Sequence, residues 1–313
     1  MSAIVPIFLV VGVGYIAVQF GPFKREDMSI LSTFVVKIAL PILVFVNVYG
    51  KAASEIFRPT YLLTYALTAI IMFGLAYLYA KVMKRSKVRA TFMGIGMAGT
   101  NNGFMGLPIF LILVPEWAGV AVGMDMLVDN VSIIPLTLFL AEHATGSGSL
   151  VQRLKTTVRE VLLHPLVIAI ALALILNSIG FVMPDWAGRS VDLLANTTTG
   201  LALFTVGGIL AGLQIKGALL DVFVAVGGKL VAMPAIAIGV LTLLIAIGLP
   251  DLPIELKAAA IITCALPTYS ILPSLAEPYG EADVSTAIVM LSILVSFITL
   301  AAWIVILGSM GWL

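Results

Sequence analysis

The chain has 313 residues, 61% hydrophobic and 11% charged, with a mean hydropathy of +1.16. A soluble domain carries about 25% charged residues, so this composition excludes a water-soluble fold and sets most of the surface against lipid or other apolar helices. The net charge of +1 offers no basic surface for nucleic acid, the lone Cys264 excludes an intramolecular disulfide, and two separated histidines, His143 and His164, make no metal cluster.

A membrane-crossing helix needs about 20 mostly apolar residues, and ten stretches qualify. The first, Ser2–Phe20, has no basic segment before it and no small-residue cleavage site, so it reads as a retained helix rather than a signal peptide. Ile30–Tyr49, Tyr61–Val82, Thr91–Val114 and Gly119–Ala141 follow. Residues 142–160 then form a linker containing Thr145-Gly146-Ser147-Gly148-Ser149, a flexible composition. The remaining spans are Val161–Val182, Val191–Leu213, Val222–Gly248, Ile254–Ala276 and Val284–Leu307. The predicted fold is therefore an all-α polytopic membrane protein, with five spans in residues 1–141 and five in 161–313.

Basic residues concentrate in cytoplasmic loops. With the N-terminus outside, the inner loops and span edges hold Lys24, Arg25, Lys81, Lys84, Arg85, Lys87, Arg89, Arg153, Lys155, Arg159 and Lys216. The outer ones hold Lys51, Arg58, Arg189 and Lys257, so both termini are expected outside. The Lys81–Arg89 run then reads as topology anchoring, with lipid-headgroup recognition the second reading.

Two spans are interrupted by polar residues and prolines at matching places. Span four reads Gly99-Thr100-Asn101-Asn102-Gly103-Phe104-Met105-Gly106-Leu107-Pro108, and span nine reads Cys264-Ala265-Leu266-Pro267-Thr268-Tyr269-Ser270-Ile271-Leu272-Pro273. Broken helices persist in a membrane only where protein or a wet cavity surrounds them, and a matched pair in two halves points to a secondary transporter's binding site. Ile38–Pro41 also answers Leu201–Phe204. Five spans is an odd number, so the second half enters from the opposite face as an inverted repeat.

At the first break Gly103 and Gly106 loosen the backbone, Pro108 removes a donor, and Asn101 and Asn102 place amides there. Half-helix N-termini suit a carboxylate. In span five Asp125 and Asp129 are four residues apart and share a face, with Asn130 beside them near mid-span. An intramembrane carboxylate marks a functional site by default, as proton carrier, sodium ligand or counter-charge to a lysine. Lys37 and Lys229 each lie before a proline, roughly 10 Å from a span end by helix rise. Each would pair with a carboxylate or snorkel to the interface. In span seven the hydroxyls within Asn196–Thr199 would line a pathway or, in the favoured reading, the segment with Gly207 and Gly208 serves close packing; the histidines read as incidental.

These motifs resemble those of the auxin efflux carrier family, which includes plant auxin exporters and bacterial organic-acid permeases such as the malonate carrier. The similarity runs nearly end to end. It is carried by Phe34–Leu43, Asn101–Pro108, Leu201–Gly207, and Leu266–Ala276 with Tyr279-Gly280. The resemblance implies ten helices with crossed, broken fourth and ninth helices. It also implies a scaffold of spans one, two, six and seven, a transport unit of spans three to five and eight to ten, homodimers through the scaffold, and elevator-like movement. It places Asn101, Asn102, Pro267 and Thr268, with neighbouring Tyr269, at the substrate site. The chain lacks the plant exporters' long central loop, and span three offers no acid–lysine pair, only Thr64 and Thr68 among apolar residues.

The function expected is transport of a small mono- or dicarboxylate, such as malonate or malate, across a bacterial inner membrane. Asn101, Asn102, Gly103, Pro108, Asn130, Lys229, Pro267, Thr268 and Tyr269 would meet the substrate, and Asp125 and Asp129 the coupling ion. The alternative is a cation–proton antiporter using the two aspartates. An enzyme is not expected: no H-E-x-x-H, no facing acid pair, no mid-span histidine to activate a serine and no phosphate-binding loop occur. No cofactor is expected beyond H+ or Na+ as coupling ion.

Overall fold

The computed structural model describes residues 5–51, 57–145, 163, 165–211 and 218–313. Linker residues 146–160, with Arg153, Lys155 and Arg159, lie outside these, as do Lys216 and His164. Among the described residues the chain is helical, without a strand. The helices are α1 (Val5–Gln19), α2 (Asp27–Val48), α3 (Pro59–Val82), α4 (Lys87–Ala98), α5 (Leu107–Leu113), α6 (Pro115–Thr145), α7 (Pro165–Ser178), α8 (Asp185–Leu210), α9 (Leu219–Ala246), α10 (Ile254–Ala265), α11 (Leu272–Ala276) and α12 (Ala282–Ser309). Six of them (α2, α3, α6, α8, α9 and α12) are long and apolar enough to cross a membrane, and α1 and α7 are shorter apolar helices.

The two interrupted stretches are interrupted in the structure as well. Gly99 to Asn101 are non-helical between α4 and the turn leading to α5, and residues 266–271 separate α10 from α11. The first interruption occupies the start of the Gly99–Pro108 stretch; from Asn102 onward the backbone is helical, through a widened turn.

Four widened π turns occur among the described residues: Val35–Ala39, Asn102–Gly106, Asp129–Ile133 and Gly228–Ala232. Each ends two residues before a proline, respectively Pro41, Pro108, Pro135 and Pro234. A proline has no N–H to give and its ring collides with the carbonyl four residues back. Widening the turn by one residue relieves that collision without ending the helix. In α9 the carbonyl of Leu230, inside the widened turn, accepts a hydrogen bond from Trp303 Nε1 at 2.9 Å. Such turns favour functional positions, and these carry Lys37, Asn102, Asp129 and Lys229.

The chain divides into two compact units. The first comprises residues 1–58, 102–124 and 160–212; the second comprises residues 59–101, 125–159 and 213–313. In the first unit, α1 lies directly against α8. A Cβ on Gly207 would strike the Val11 carbonyl, and one on Gly14 would strike the Phe204 backbone, so small residues let two main chains touch. Asn177 at the end of α7 ties down the end of α2: its Nδ2 donates to the Val48 and Lys51 carbonyls, and its Oδ1 accepts from Gly50 N.

In the second unit a polar cluster closes one end. Asp221, fully buried at the start of α9, accepts from Arg85 Nε (3.1 Å), Arg89 Nη1 (3.0 Å) and the Tyr79 hydroxyl (2.8 Å). Arg89 also pairs with Glu281, the residue before α12. Burial pushes the Glu281 carboxyl above the ordinary glutamate value, and the Arg89 charge opposes it.

The α1–α8 contact is testable by thermal unfolding in detergent. Gly207→Ala should destabilise the protein by about 1–3 kcal/mol, the usual cost of overpacking. Gly200→Ala, on the same helix with open space around it, should be neutral or slightly stabilising.

Candidate functional site

The polar residues singled out in the sequence divide between the two units. Lys37 is exposed within the first unit. Asn102, Gly103 and Pro108 are buried in that unit as well. Asn130 is partly exposed and spends its Nδ2 on the Met126 carbonyl at 2.8 Å. The second unit by itself brings together Asn101, Asp125, Asp129, Lys229, Pro267, Thr268 and Tyr269, all buried or nearly so.

The two interruptions are stitched to each other there. Asn101 N donates to the Pro267 carbonyl at 2.9 Å, and Asn101 Nδ2 donates to Ser270 Oγ at 2.9 Å. Main-chain groups released by one break thus find partners in the other. Thr268 N reaches Ser292 Oγ of α12 at 3.4 Å. The Thr268 hydroxyl is buried and has no hydrogen-bond partner among the described residues. Gly99 is required at its position because a Cβ would run into the Tyr269 ring.

Each aspartate of α6 is held by a tyrosine of α3. The Tyr61 hydroxyl donates to Asp125 Oδ1 at 3.0 Å, and Thr263 of α10 donates to Asp125 Oδ2 at 2.8 Å. One turn along, the Tyr65 hydroxyl lies 2.5 Å from Asp129 Oδ1 and 2.7 Å from Thr100 Oγ1. Tyr269 sits beside Asp129 and Tyr65. Two tyrosines four residues apart therefore face two aspartates four residues apart, as side chains one helical turn apart on packed helices must.

Lys229 completes the group. It is wholly buried, in the widened turn of α9, and its Nζ lies 3.0 Å from Thr100 Oγ1. Its other neighbour is the Met233 thioether, also at 3.0 Å, a weak acceptor. No carboxylate among the described residues forms a salt bridge with it. Lys229, Thr100, Tyr65 and Asp129 form one hydrogen-bonded chain. A hydroxyl has one proton to give, so the chain is saturated when Lys229 donates to Thr100, Thr100 to Tyr65 and Tyr65 to Asp129. An ammonium has three donors, and Lys229 retains capacity for a further acceptor.

Tyr61, Tyr65, Thr100 and Thr263 were not singled out from the sequence. Span three looked apolar apart from its threonines, yet Thr64 and Thr68 only bond back to their own helix, at the Thr60 and Thr64 carbonyls. The available signal was the repeated spacing of four in Tyr61/Tyr65 and Asp125/Asp129. No group of three or more metal-ligating side chains occurs among the described residues.

Removing one hydroxyl from this cluster leaves a buried carboxylate short of a donor, at a cost of about 1–3 kcal/mol. Tyr65→Phe and Tyr61→Phe should each lower the apparent melting temperature in detergent. Tyr15→Phe, whose hydroxyl makes no side-chain hydrogen bond among those found, should leave it unchanged.

Comparison with known proteins fits this picture of a helical protein with a polar membrane interior. The membrane transport protein family matches residues 1–147 and 133–304. The "Putative malonate transporter" of Rhizobium meliloti (strain 1021) is 25% identical over 309 residues, covering 98% of this chain and 95% of that protein. An uncharacterized transporter of Methanothermobacter thermautotrophicus is 24% identical over 310 residues, covering 98% of each chain. The uncharacterized transporter YfdV of Escherichia coli (strain K12) is 25% identical over 215 residues, 66% of this chain and 68% of that protein. The chain belongs to the membrane transport protein family, the auxin efflux carrier family that its broken-helix motifs resemble.

Proposed function

We propose that the protein is a secondary transporter or uniporter of a small organic anion, a mono- or dicarboxylate such as malonate or malate. The observation that carries this reading is Lys229: a buried cation beside two stitched helix breaks, with a hydroxyl and a thioether for partners. A substrate carboxylate would supply the missing acceptor. The unpaired Thr268 hydroxyl offers a second donor. The name of the Rhizobium meliloti relative supports malonate as the first substrate to try.

In this reading the six long helices, the shorter α1 and α7 and the two interrupted stretches make ten crossings, arranged as inverted repeats in a bacterial inner membrane with both termini outside. Spans one, two, six and seven serve as scaffold and homodimer interface, and spans three to five and eight to ten carry the substrate in an elevator-type movement. The grouping of spans one, two, six and seven in the first unit, and of spans three and eight to ten in the second, supports that assignment, while residues 102–124 of spans four and five group with the first unit.

Asp125 and Asp129 give the site two acidic groups against one lysine. With both ionised, the cluster would repel an incoming anion. Entry of a proton or sodium ion with the substrate would remove that excess, and this charge balance supports symport over uniport. The same pair favours the second reading, a cation–proton antiporter.

The test is thermal stabilisation of the purified protein by a carboxylate panel, with and without sodium, at two pH values. A ligand of the folded state raises its apparent stability by mass action. Malonate or malate should give a shift that Lys229→Met loses while still folding. A shift with sodium or lithium alone, and none with carboxylates, supports the antiporter instead; a wild-type carboxylate shift in Lys229→Met removes the lysine from the site. In proteoliposomes, Asp129→Asn should change the pH or sodium dependence of uptake, and an unaltered ion profile would remove Asp129 from coupling. Asn102→Ala should weaken substrate affinity without loss of expression.

A further inference from the structure

At the turn from α3 to α4 the second unit has a cavity of about 440 Å³, lined by Tyr77, Leu78, Ala80, Lys81, Arg85, Ser86, Lys87 and Ala90. The chain reverses there through Lys84, whose φ of 54° puts a non-glycine residue in the left-handed region. Arg85 N closes the turn on the Ala80 carbonyl at 2.8 Å. This reversal brings Lys81, Arg85 and Lys87 around one hollow. The wall is fixed by Tyr77, whose hydroxyl lies 2.6 Å from Thr91 Oγ1.

The charges at this corner do not balance. Arg85 and Arg89 are matched by Asp221 and Glu281. Lys81, Lys84 and Lys87 pair with no carboxylate among the described residues. Arg85 spends only its Nε on Asp221, and its two Nη groups have no partner among those residues. The hollow thus offers two ammonium groups and one edge of a guanidinium, the donor set for a phosphate. Apart from Ser86, its remaining lining is the largely apolar Tyr77, Leu78, Ala80 and Ala90, and Leu78 is 59% exposed. The 24 residues of α3 span about 36 Å by helix rise, somewhat more than a hydrocarbon core of about 30 Å. The last turn of α3 therefore stands at headgroup depth.

We propose that this hollow binds the headgroup of an anionic phospholipid, with the phosphate held by Lys81, Arg85 and Lys87 and the lipid body lying along Tyr77 and Leu78. A free phosphate would satisfy the cations and leave the apolar wall uncovered. Because Arg85 also holds Asp221, a bound lipid would brace the polar cluster that joins the α3–α4 turn to α9.

The experiment measures binding of short-chain phosphatidylglycerol to the full-length protein in neutral detergent, by thermal shift and by native mass spectrometry. Phosphatidylcholine and inorganic phosphate are the parallel arms. Wild type should be stabilised and decorated by phosphatidylglycerol alone. Lys81→Gln/Lys87→Gln should weaken that binding about tenfold or more, since each basic residue near an anionic headgroup contributes on the order of 1 kcal/mol. Lys81→Arg/Lys87→Arg should restore it, which keeps the result interpretable if the glutamine variant folds poorly. Lys24→Gln/Arg25→Gln, which removes equal charge elsewhere, should bind like wild type. Equal effects of the two lipids, an equal loss in the Lys24/Arg25 variant, or a full shift from inorganic phosphate alone would each overturn the assignment.

Discussion

A main-chain N–H or C=O inside a bilayer must find its partner within the protein, because no water is there to replace one. The second unit is organised by that constraint. Both α4 and α10 stop short, and each releases backbone groups. Asn101 answers them with its main-chain N–H on the Pro267 carbonyl and its side-chain amide on Ser270. One released N–H of the first interruption thus finds a released carbonyl of the second. This mutual repair leaves room for polar side chains in a place otherwise closed to them. The widened turns before Pro135 and Pro234 follow the same logic on α6 and α9, keeping the helix continuous while presenting Asp129 and Lys229 to the interior.

Burying charge is costly unless it is hydrogen-bonded. The aspartates meet that cost through different partners. Asp125 is satisfied on both oxygens by Tyr61 and Thr263. Asp129 shares its tyrosine with a chain that runs through Thr100 to Lys229. Two hydroxyls, those of Thr100 and Tyr65, thereby connect Lys229 to Asp129. The first unit contrasts with this: its α1–α8 pair meets main chain to main chain at Gly14 and Gly207, with no carboxylate or amine at the point of contact.

Much of the site was legible because its signals are local. Asp125 and Asp129 stood out as charges in an apolar run, and the two breaks by proline and glycine among hydroxyl and amide residues. Tyr61 and Tyr65 did not, because an aromatic residue in a membrane helix looks like core until its hydroxyl is placed. Thr100 and Thr263 were hidden for a similar reason, since a threonine in a helix commonly bonds its own backbone, as Thr64 and Thr68 do here. The first break lies within the stretch Gly99–Pro108 that the sequence marks, at Gly99 to Asn101, and Gly103 and Gly106 stand in the widened turn that follows it.

By itself the sequence determined that this is a helical membrane protein, where its helices are interrupted and which acids and lysines stand in apolar surroundings. Composition and spacing along one chain suffice for those. Tertiary structure alone decided that Asp125 and Asp129 are held by tyrosines, that Lys229 meets Thr100 rather than a carboxylate, and that Asn102 and Pro108 fall in a different unit from Asn101. These depend on which helix faces are pressed together across separations of 64 residues for the tyrosine–aspartate pairs and 129 for Lys229 and Thr100, and nothing local in the sequence encodes that choice.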